Sequence, residues 1–295
     1  MCRPVTAGML SAMTASHARL AGSVGELSEL LLAAEHAVDV AAEALIRGRT
    51  DVKALIGKGD YGFATAVDVE IERLVRTRLR EDAPDIPFFG EEEGGAGLLS
   101  DAVWLLDPID GTANYADGSP LCAISLALVR RGQPVLAVVA APLLGERFLA
   151  VEGAGAFRNG MRIHVAEREV GDPLVALSDF AFGRKHRDTN QLRFAVIEEL
   201  VRRSMRLRIH GSVALDLAWL AAGRMSATIA LSNLPWDVSA GILVVREAGG
   251  VVFDDVGAPH GPSASSTLAS VPRLQDTVLS ALATAKDRVA ARASE

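Results

Sequence analysis

Three short acidic stretches carry the residue types that could do chemistry in this chain. The first is Trp104-Leu-Leu-Asp107-Pro108-Ile109-Asp110-Gly111-Thr112-Ala113-Asn114-Tyr115. Its apolar run delivers Asp107 at a strand end, because Pro108 cannot donate to a sheet ladder. Asp110 follows after a tight bend, so both carboxylates can converge on one point. Gly111 and Thr112 then open a helix whose first N–H groups would face an anion. The second stretch is Gly90-Glu91-Glu92-Glu93-Gly94, directly after the apolar residues 86–89. The third is Trp236-Asp237-Val238-Ser239-Ala240-Gly241, where an acid follows a Pro-containing turn and small residues start a helix. Singly, each has an ordinary explanation: Asp110-Gly111 as a turn, Glu91–Glu93 as a solvated loop, Asp237 as an N-cap. Jointly they offer hard oxygen ligands at element ends, the donor set of a Mg²⁺ ion that shares its shell with a substrate phosphate. The six His and two Cys show no zinc-like spacing.

The elements that must position these residues follow from periodicity. An Ala- and Leu-rich helix is expected from about Leu27 to Gly48, and a second from about Thr65 to Arg80, with Val67, Ile71, Leu74, Val75 and Leu79 at helical spacing. Between them lies a Gly-rich stretch containing Lys58. Short apolar runs then alternate with turns, at 86–89, 103–106, 123–130, 135–141 and 147–151, which predicts hairpin-linked antiparallel strands. Past Asp172 the order becomes strand, helix, strand, helix: 174–178, 189–204, 206–210 and 213–222. A helix over 238–248, a strand at 251–253 and an amphipathic helix over 273–292 complete the chain, with 257–267 read as a loop. The expected organisation is a loose N-terminal extension at 1–20, an α+β half at 21–165 and an α/β half at 166–295.

Bulk properties narrow the class. Hydrophobic residues make up 49% of the 295 and charged residues 23%, which allows a sizeable core. Aromatics are only 5%, so that core rests on Ala, Val, Leu and Ile. A net charge of −7 argues against a nucleic-acid partner, which needs a clustered basic face. Arg202, Arg203, Arg206 and Arg208 form a basic stretch whose spacing fits a solvated or subunit-facing surface. No run of about 18 apolar residues suggests a membrane span. Two cysteines, Cys2 and Cys122, make a disulfide framework unexpected and a reducing cytoplasm the default.

The three stretches, in this order and spacing, resemble the inositol monophosphatase family, in its actinobacterial-type form. Lys58, Thr65-x-x-Asp68 and His210-Gly211-Ser212 agree with the resemblance, which spans roughly residues 27–290. It implies a layered α-β-α-β-α sandwich of the sugar-phosphatase type, shared with fructose-1,6-bisphosphatase. It also implies a Mg²⁺-dependent hydrolase of a small phosphate monoester. By position, Glu91, Asp107 and the carbonyl of Ile109 would hold one Mg²⁺, and Asp107, Asp110 and Asp237 a second, with a third weaker ion near Glu91. Thr112 with Glu91 would position and deprotonate the attacking water, and Asp110 would also act in catalysis. Substrate contacts would come from Asp110, Gly111, Thr112, Ser212, Val213 and Asp237. Lithium sensitivity and a homodimer are further family expectations. The position at which inositol-specific members carry a hydroxyl-binding Glu is Ala230 here, with Ser226, Ser232 or Asn233 as possible stand-ins. Where the family commonly has an Asp upstream, this chain has Gly62, with Asp60 nearby. Inositol 1-phosphate, a related polyol phosphate, histidinol phosphate or a broad range of monoesters are the substrate readings. Absence of a second basic cluster disfavours bisphosphates. A regulatory binding protein on the same fold is the reading from another class.

Overall fold

The computed structural model describes residues 25–49, 56–57, 63–95, 97–98, 100–166, 172–181, 187–203 and 205–293. The expected extension at 1–20, Lys58, Asp60 and Gly62 lie outside them. Helix α1 (Gly25–Gly48) buries Leu31, Ala34, Val38, Ala41 and Leu45, one stripe at three- and four-residue steps. After the short pair β1 (Ile56–Gly57) and β2 (Phe63–Ala64), helix α2 (Ala66–Asp82) starts at an N-cap Thr65. Its capping box is closed by Asp68, whose Oδ2 accepts from the Thr65 N–H at 2.8 Å.

A large sheet follows, built from β3 (Phe88–Gly90), β4 (Gly94–Gly95), β5 (Ala102–Asp110), β6 (Ala123–Arg130), β7 (Gln133–Ala141), β8 (Glu146–Val151), β9 (Gly155–Arg158) and β10 (Met161–Ile163). Its strand order is β10-β9-β8-β7-β6-β5-β3-β4. Six of the seven pairings are antiparallel, as the alternation of runs and turns predicts; β3 against β5 is parallel. The edge position is taken by β4, so the chain returns on the other side of β3 to enter β5 in the same direction. Both faces of the sheet are covered, which is why β5 and β6 read as nearly unbroken apolar runs. On β5, Trp104 and Leu106 pack with α1 and α2, while Val103 and Leu105 face the opposite core.

The second sheet is ordered β12-β11-β13-β15-β14. Strands β11 (Leu174–Leu177), β12 (Arg206–Arg208) and β13 (Ala227–Ala230) are parallel, joined through α4 (Arg187–Arg202) and α5 (Val213–Ala221). Helix α3 (Thr112–Ala116) precedes them, and α6 (Pro235–Glu247) follows β13. The strands β14 (Val251–Phe253) and β15 (Thr267–Ser270) pair antiparallel, and β15 closes on β13. Reading the chain only as a loop up to Thr267 misses β15, four buried residues with two Ser or Thr among them. Helix α7 (Gln275–Ala293) packs with α4. Helices α1 and α2, the large sheet, α5 and α6, the small sheet, and α4 with α7 are the five layers of an α-β-α-β-α sandwich.

In the basic stretch Arg202 pairs with Glu198 and Arg206 with Asp172 at the surface, Arg203 reaches the buried Glu199, and Arg208 donates to the Leu207 carbonyl. Cys122 is buried as a free thiol, and burial pushes it up to about 12. No described helix is long and apolar enough to cross a membrane.

Candidate active site

The acidic residues gather where the two halves of the sandwich meet. Asp107 is not at the end of its strand, contrary to the expectation drawn from Pro108. Strand β5 continues to Asp110 through a bulge: Asp107 pairs with Ser125 and Asp110 with Ala123, so β5 spends one residue more than β6. Pro108 sits in that bulge, where no ladder hydrogen bond is lost. The kink brings Asp107 and Asp110 to the same end of the sheet. Asp107 Oδ1 accepts from the Ile109 N–H at 3.0 Å, which fixes its rotamer.

Glu91, Asp107 and Asp237 each offer a carboxylate oxygen, and these oxygens lie within 4.8 Å of one another. Asp237 is not an N-cap. Helix α6 begins with Pro235 after Leu234, which puts Asp237 third in the helix, in the first turn, where the dipole favours an anion. Trp236 stacks on Phe89 at 5.6 Å between ring centroids and holds that turn against β3.

Asp110 is held from the other half. Its Oδ2 accepts from Ser212 Oγ at 2.7 Å and from the Ala214 N–H at 2.5 Å, at the start of α5. Ser212 also caps α5 through the Leu215 N–H. Val213, in the first position of α5, has no partner for its N–H among the described residues. Behind Ser212, His210 Nδ1 and Asp216 Oδ1 are 2.6 Å apart, and Asn114 Nδ2 donates to the carbonyls of His210 and Leu121. Gly111 needs its positive φ of 92°, and a Cβ there would lie 2.8 Å from the carbonyl oxygen of Leu121.

Two positioning residues have no expected role. Thr112 Oγ1 lies 3.1 Å from Asp68 Oδ1 and 3.0 Å from the carbonyl oxygen of Ile109. The sequence signal for Asp68 is its place in the capping box, a structural signature that does not announce a site. The other is Glu72 on α2, fully buried, whose carboxylate accepts the N–H groups of Glu92 at 2.7 Å and Glu93 at 3.1 Å and pairs with Arg76. It therefore shapes the turn that presents Glu91. Glu93, the last acid of that run, pairs with Arg73. Gly90 makes room for Glu72: a Cβ there would fall 2.2–2.4 Å from its carboxylate atoms. Gly90→Ala is expected to displace Glu72, raise the divalent-ion concentration needed for half-maximal activity, and cost about 2 kcal/mol of stability, the scale of a lost charged hydrogen bond. Chemical denaturation and a metal titration check both; an unchanged metal requirement would remove Glu72 from the support of Glu91.

Burial, first of all, pushes the Asp107 carboxyl well above its ordinary range, and the neighbouring Glu91, Asp110, Asp237 and Asp68 add to it. Burial likewise raises Asp110 to about 7, against the opposing pull of the Ser212 and Ala214 hydrogen bonds. Buried carboxylates crowded in this way are stabilised by a hard cation among them. The donor set fits one.

Of the stand-ins for a Glu at 230, Ser226 Oγ accepts from the Leu174 N–H, and Asn233 is tied to Ala264 and Thr267. Both serve the fold. Ala230 itself is fully buried at the end of β13.

Fold and site together define a hydrolase of phosphoric monoesters, with an acidic centre of the kind that holds metal. Residues 26–287 match the inositol monophosphatase family, and the chain belongs to it. It is 40% identical over 246 residues to the "Probable inositol 1-monophosphatase ImpA" of Mycobacterium tuberculosis, covering 83% of this chain and 90% of that one. It is 38% identical over 204 residues to the "Nus factor SuhB" of Xylella fastidiosa, covering 69% and 73%. Among solved structures, the Thermotoga maritima IMPase superposes with a TM-score of 0.77 at 31% identity, over 84% of this chain and 94% of that one.

Proposed function

We propose that this protein is a Mg²⁺-dependent phosphatase of small phosphate monoesters, with inositol 1-phosphate or a related polyol phosphate as substrate. The observation that carries the reading is the convergence of Glu91, Asp107 and Asp237 from three distant stretches of chain, beside Gly111 and Thr112. Glu91, Asp107, Asp110, Asp237 and the Ile109 carbonyl would hold the ions. When bound, such ions lower the pKa of water and neutralise charge on phosphate and leaving oxygens.

The chain's own residues supply the rest. Thr112, with Glu91, orients the attacking water, and Asp68, 3.1 Å from Thr112 Oγ1, takes up the hydroxyl's own proton as the water's proton moves onto it. Gly111 and Thr112 present backbone N–H groups to the phosphate. Ser212 and Ala214 keep Asp110 aimed by binding only its Oδ2. The first N–H of α5, at Val213, is available to the substrate. Phosphoryl transfer needs positioning and electrostatic stabilisation more than covalent help, and these groups provide both. The proposal includes action in the cytoplasm as a homodimer.

Phosphate release from inositol 1-phosphate, histidinol phosphate, glycerol 2-phosphate and fructose 1,6-bisphosphate, with Mg²⁺ and with EDTA, tests the reading. Polyol monoesters should be hydrolysed fastest, and EDTA should abolish release. No Mg²⁺-dependent release from any of the four would favour a regulatory binding protein on this fold. Asp110→Asn should lower kcat/KM at least about a hundredfold, the scale of a lost electrostatic catalytic group. Near-normal activity in that variant would contradict its assignment.

A further inference from the structure

On the far side of α6 from its neighbour α5 lies a cavity of about 210 Å³ that the catalytic reading does not use. Most of its wall is apolar, made by Val103, Leu105 and Val129 of the large sheet and Val238 and Ile242 of α6. Gly132 and Pro262 close it, packed so tightly that a Cβ on Gly132 would meet the proline ring at 2.6 Å.

One charged side chain, Arg246, lines it, on the same helical face as Val238 and Ile242. Its guanidinium donates to Gln133 Oε1 and to the His260 carbonyl, both at 2.8 Å, and both residues line the cavity too. Those bonds use two of five N–H donors. Among the described residues no carboxylate pairs with Arg246, and burial alone pulls its pKa below the ordinary value. His260, beside it, is held neutral near pH 7, because burial lowers it to about 4. A partly buried cation facing only neutral acceptors lacks the counter-charge that such groups normally have. The two hydrogen bonds make it a strut; they leave its charge uncompensated.

We propose that this cavity is a binding site for small monocarboxylates with a branched or aromatic body. The carboxylate meets Arg246, whose planar fork suits two oxygens. The body lies against Leu105, Val129, Val238 and Ile242. An apolar cavity of roughly 150 Å³ accepts a benzene ring, so this one takes a ring or branched chain of similar size.

The test uses the full chain with benzoate and 4-methylpentanoate as probes, and benzyl alcohol and 4-methylpentan-1-ol as uncharged matches, read by calorimetry and thermal shift. The acids should bind at least about tenfold tighter than the alcohols, the scale of a charge-assisted hydrogen bond. Arg246→Gln should bring the acids down to the level of the alcohols. Leu98, 42% exposed, stands at the rim, so Leu98→Trp should block all four probes while leaving folding and phosphate hydrolysis as in the parent. Equal binding of acids and alcohols, no binding of either acid at 10 mM (about the weakest affinity a single such contact gives), or undiminished binding in Leu98→Trp would each overturn the proposal.

Discussion

Replacing Asp107 by Asn is expected to lower kcat/KM by about a thousandfold while leaving a folded protein. Asp107 is the central member of the acidic group: 3% exposed, within reach of Glu91 and Asp237, and electrostatically coupled to Asp110 and Asp68 as well. An Asn in the same rotamer keeps an oxygen for the Ile109 N–H, so the bulge survives. What disappears is the charge that balances a cation, and an amide NH₂ would now point at its neighbours. The expected loss is the upper end for one preorganised electrostatic group. Steady-state kinetics on inositol 1-phosphate at saturating Mg²⁺ measures it. A second readout guards against misfolding: without metal, the variant should melt at a higher temperature than the parent at pH 7, because the fold no longer has to hold that carboxyl protonated or bury its charge. A rate within tenfold of the parent would take Asp107 out of the metal centre.

What could be read from the chain divides along a physical line. The convergence of Glu91, Asp107 and Asp237 was legible because acids close to Pro and Gly at the ends of apolar runs are unusual for pure packing. Helix α1 was legible because a stripe of Leu31, Ala34, Val38, Ala41 and Leu45 has one interpretation. The motif holding Asp68 was legible as part of the family resemblance, but its contact with Thr112 was not, nor was the hold of Glu72 on the Glu91 turn. Their sequence context is that of helix residues, a capping acid and an acid four before Arg76, and both patterns occur on ordinary surfaces. Only the tertiary fold, which lays α2 across β3 and β5, turns them inward. The Pro108 bulge was hidden for a related reason. A proline in an apolar run normally ends a strand, and whether it bends one instead depends on the partner strand. The parallel pairing of β3 and the late strand β15 are also partner-dependent. Short strands carry little periodicity of their own, so neighbours decide them.

The same crowding that suits the centre to a cation should make the metal-free protein sensitive to alkali. Asp110 has a folded-state pKa of about 7, against 3.8 ordinarily, and Asp107 is raised well above 3.8 too. Below about pH 4 both groups are protonated whether the chain is folded or not, so they do not bias folding there. Between pH 4 and 7 the unfolded chain releases these protons while the fold retains them. Folded protein then binds more protons than unfolded protein, and stability must fall as pH rises. A tenfold change in proton affinity is worth about 1.4 kcal/mol, so ionising Asp110 alone costs the metal-free fold on the order of 4 kcal/mol by pH 8. Most proteins with paired carboxylates show the opposite slope over this range. Denaturant midpoints in EDTA at pH 5, 6, 7 and 8 should therefore decline steadily, apart from the contributions of other titrating groups. Asp110→Asn should flatten the decline, which assigns it to this site. Saturating Mg²⁺ should reverse it, because ionised carboxylates then gain a cation that only the fold can bind. Stability in EDTA that is level or rising from pH 5 to 8, and equal in parent and variant, would mean that these carboxylates are not the strained cluster described here.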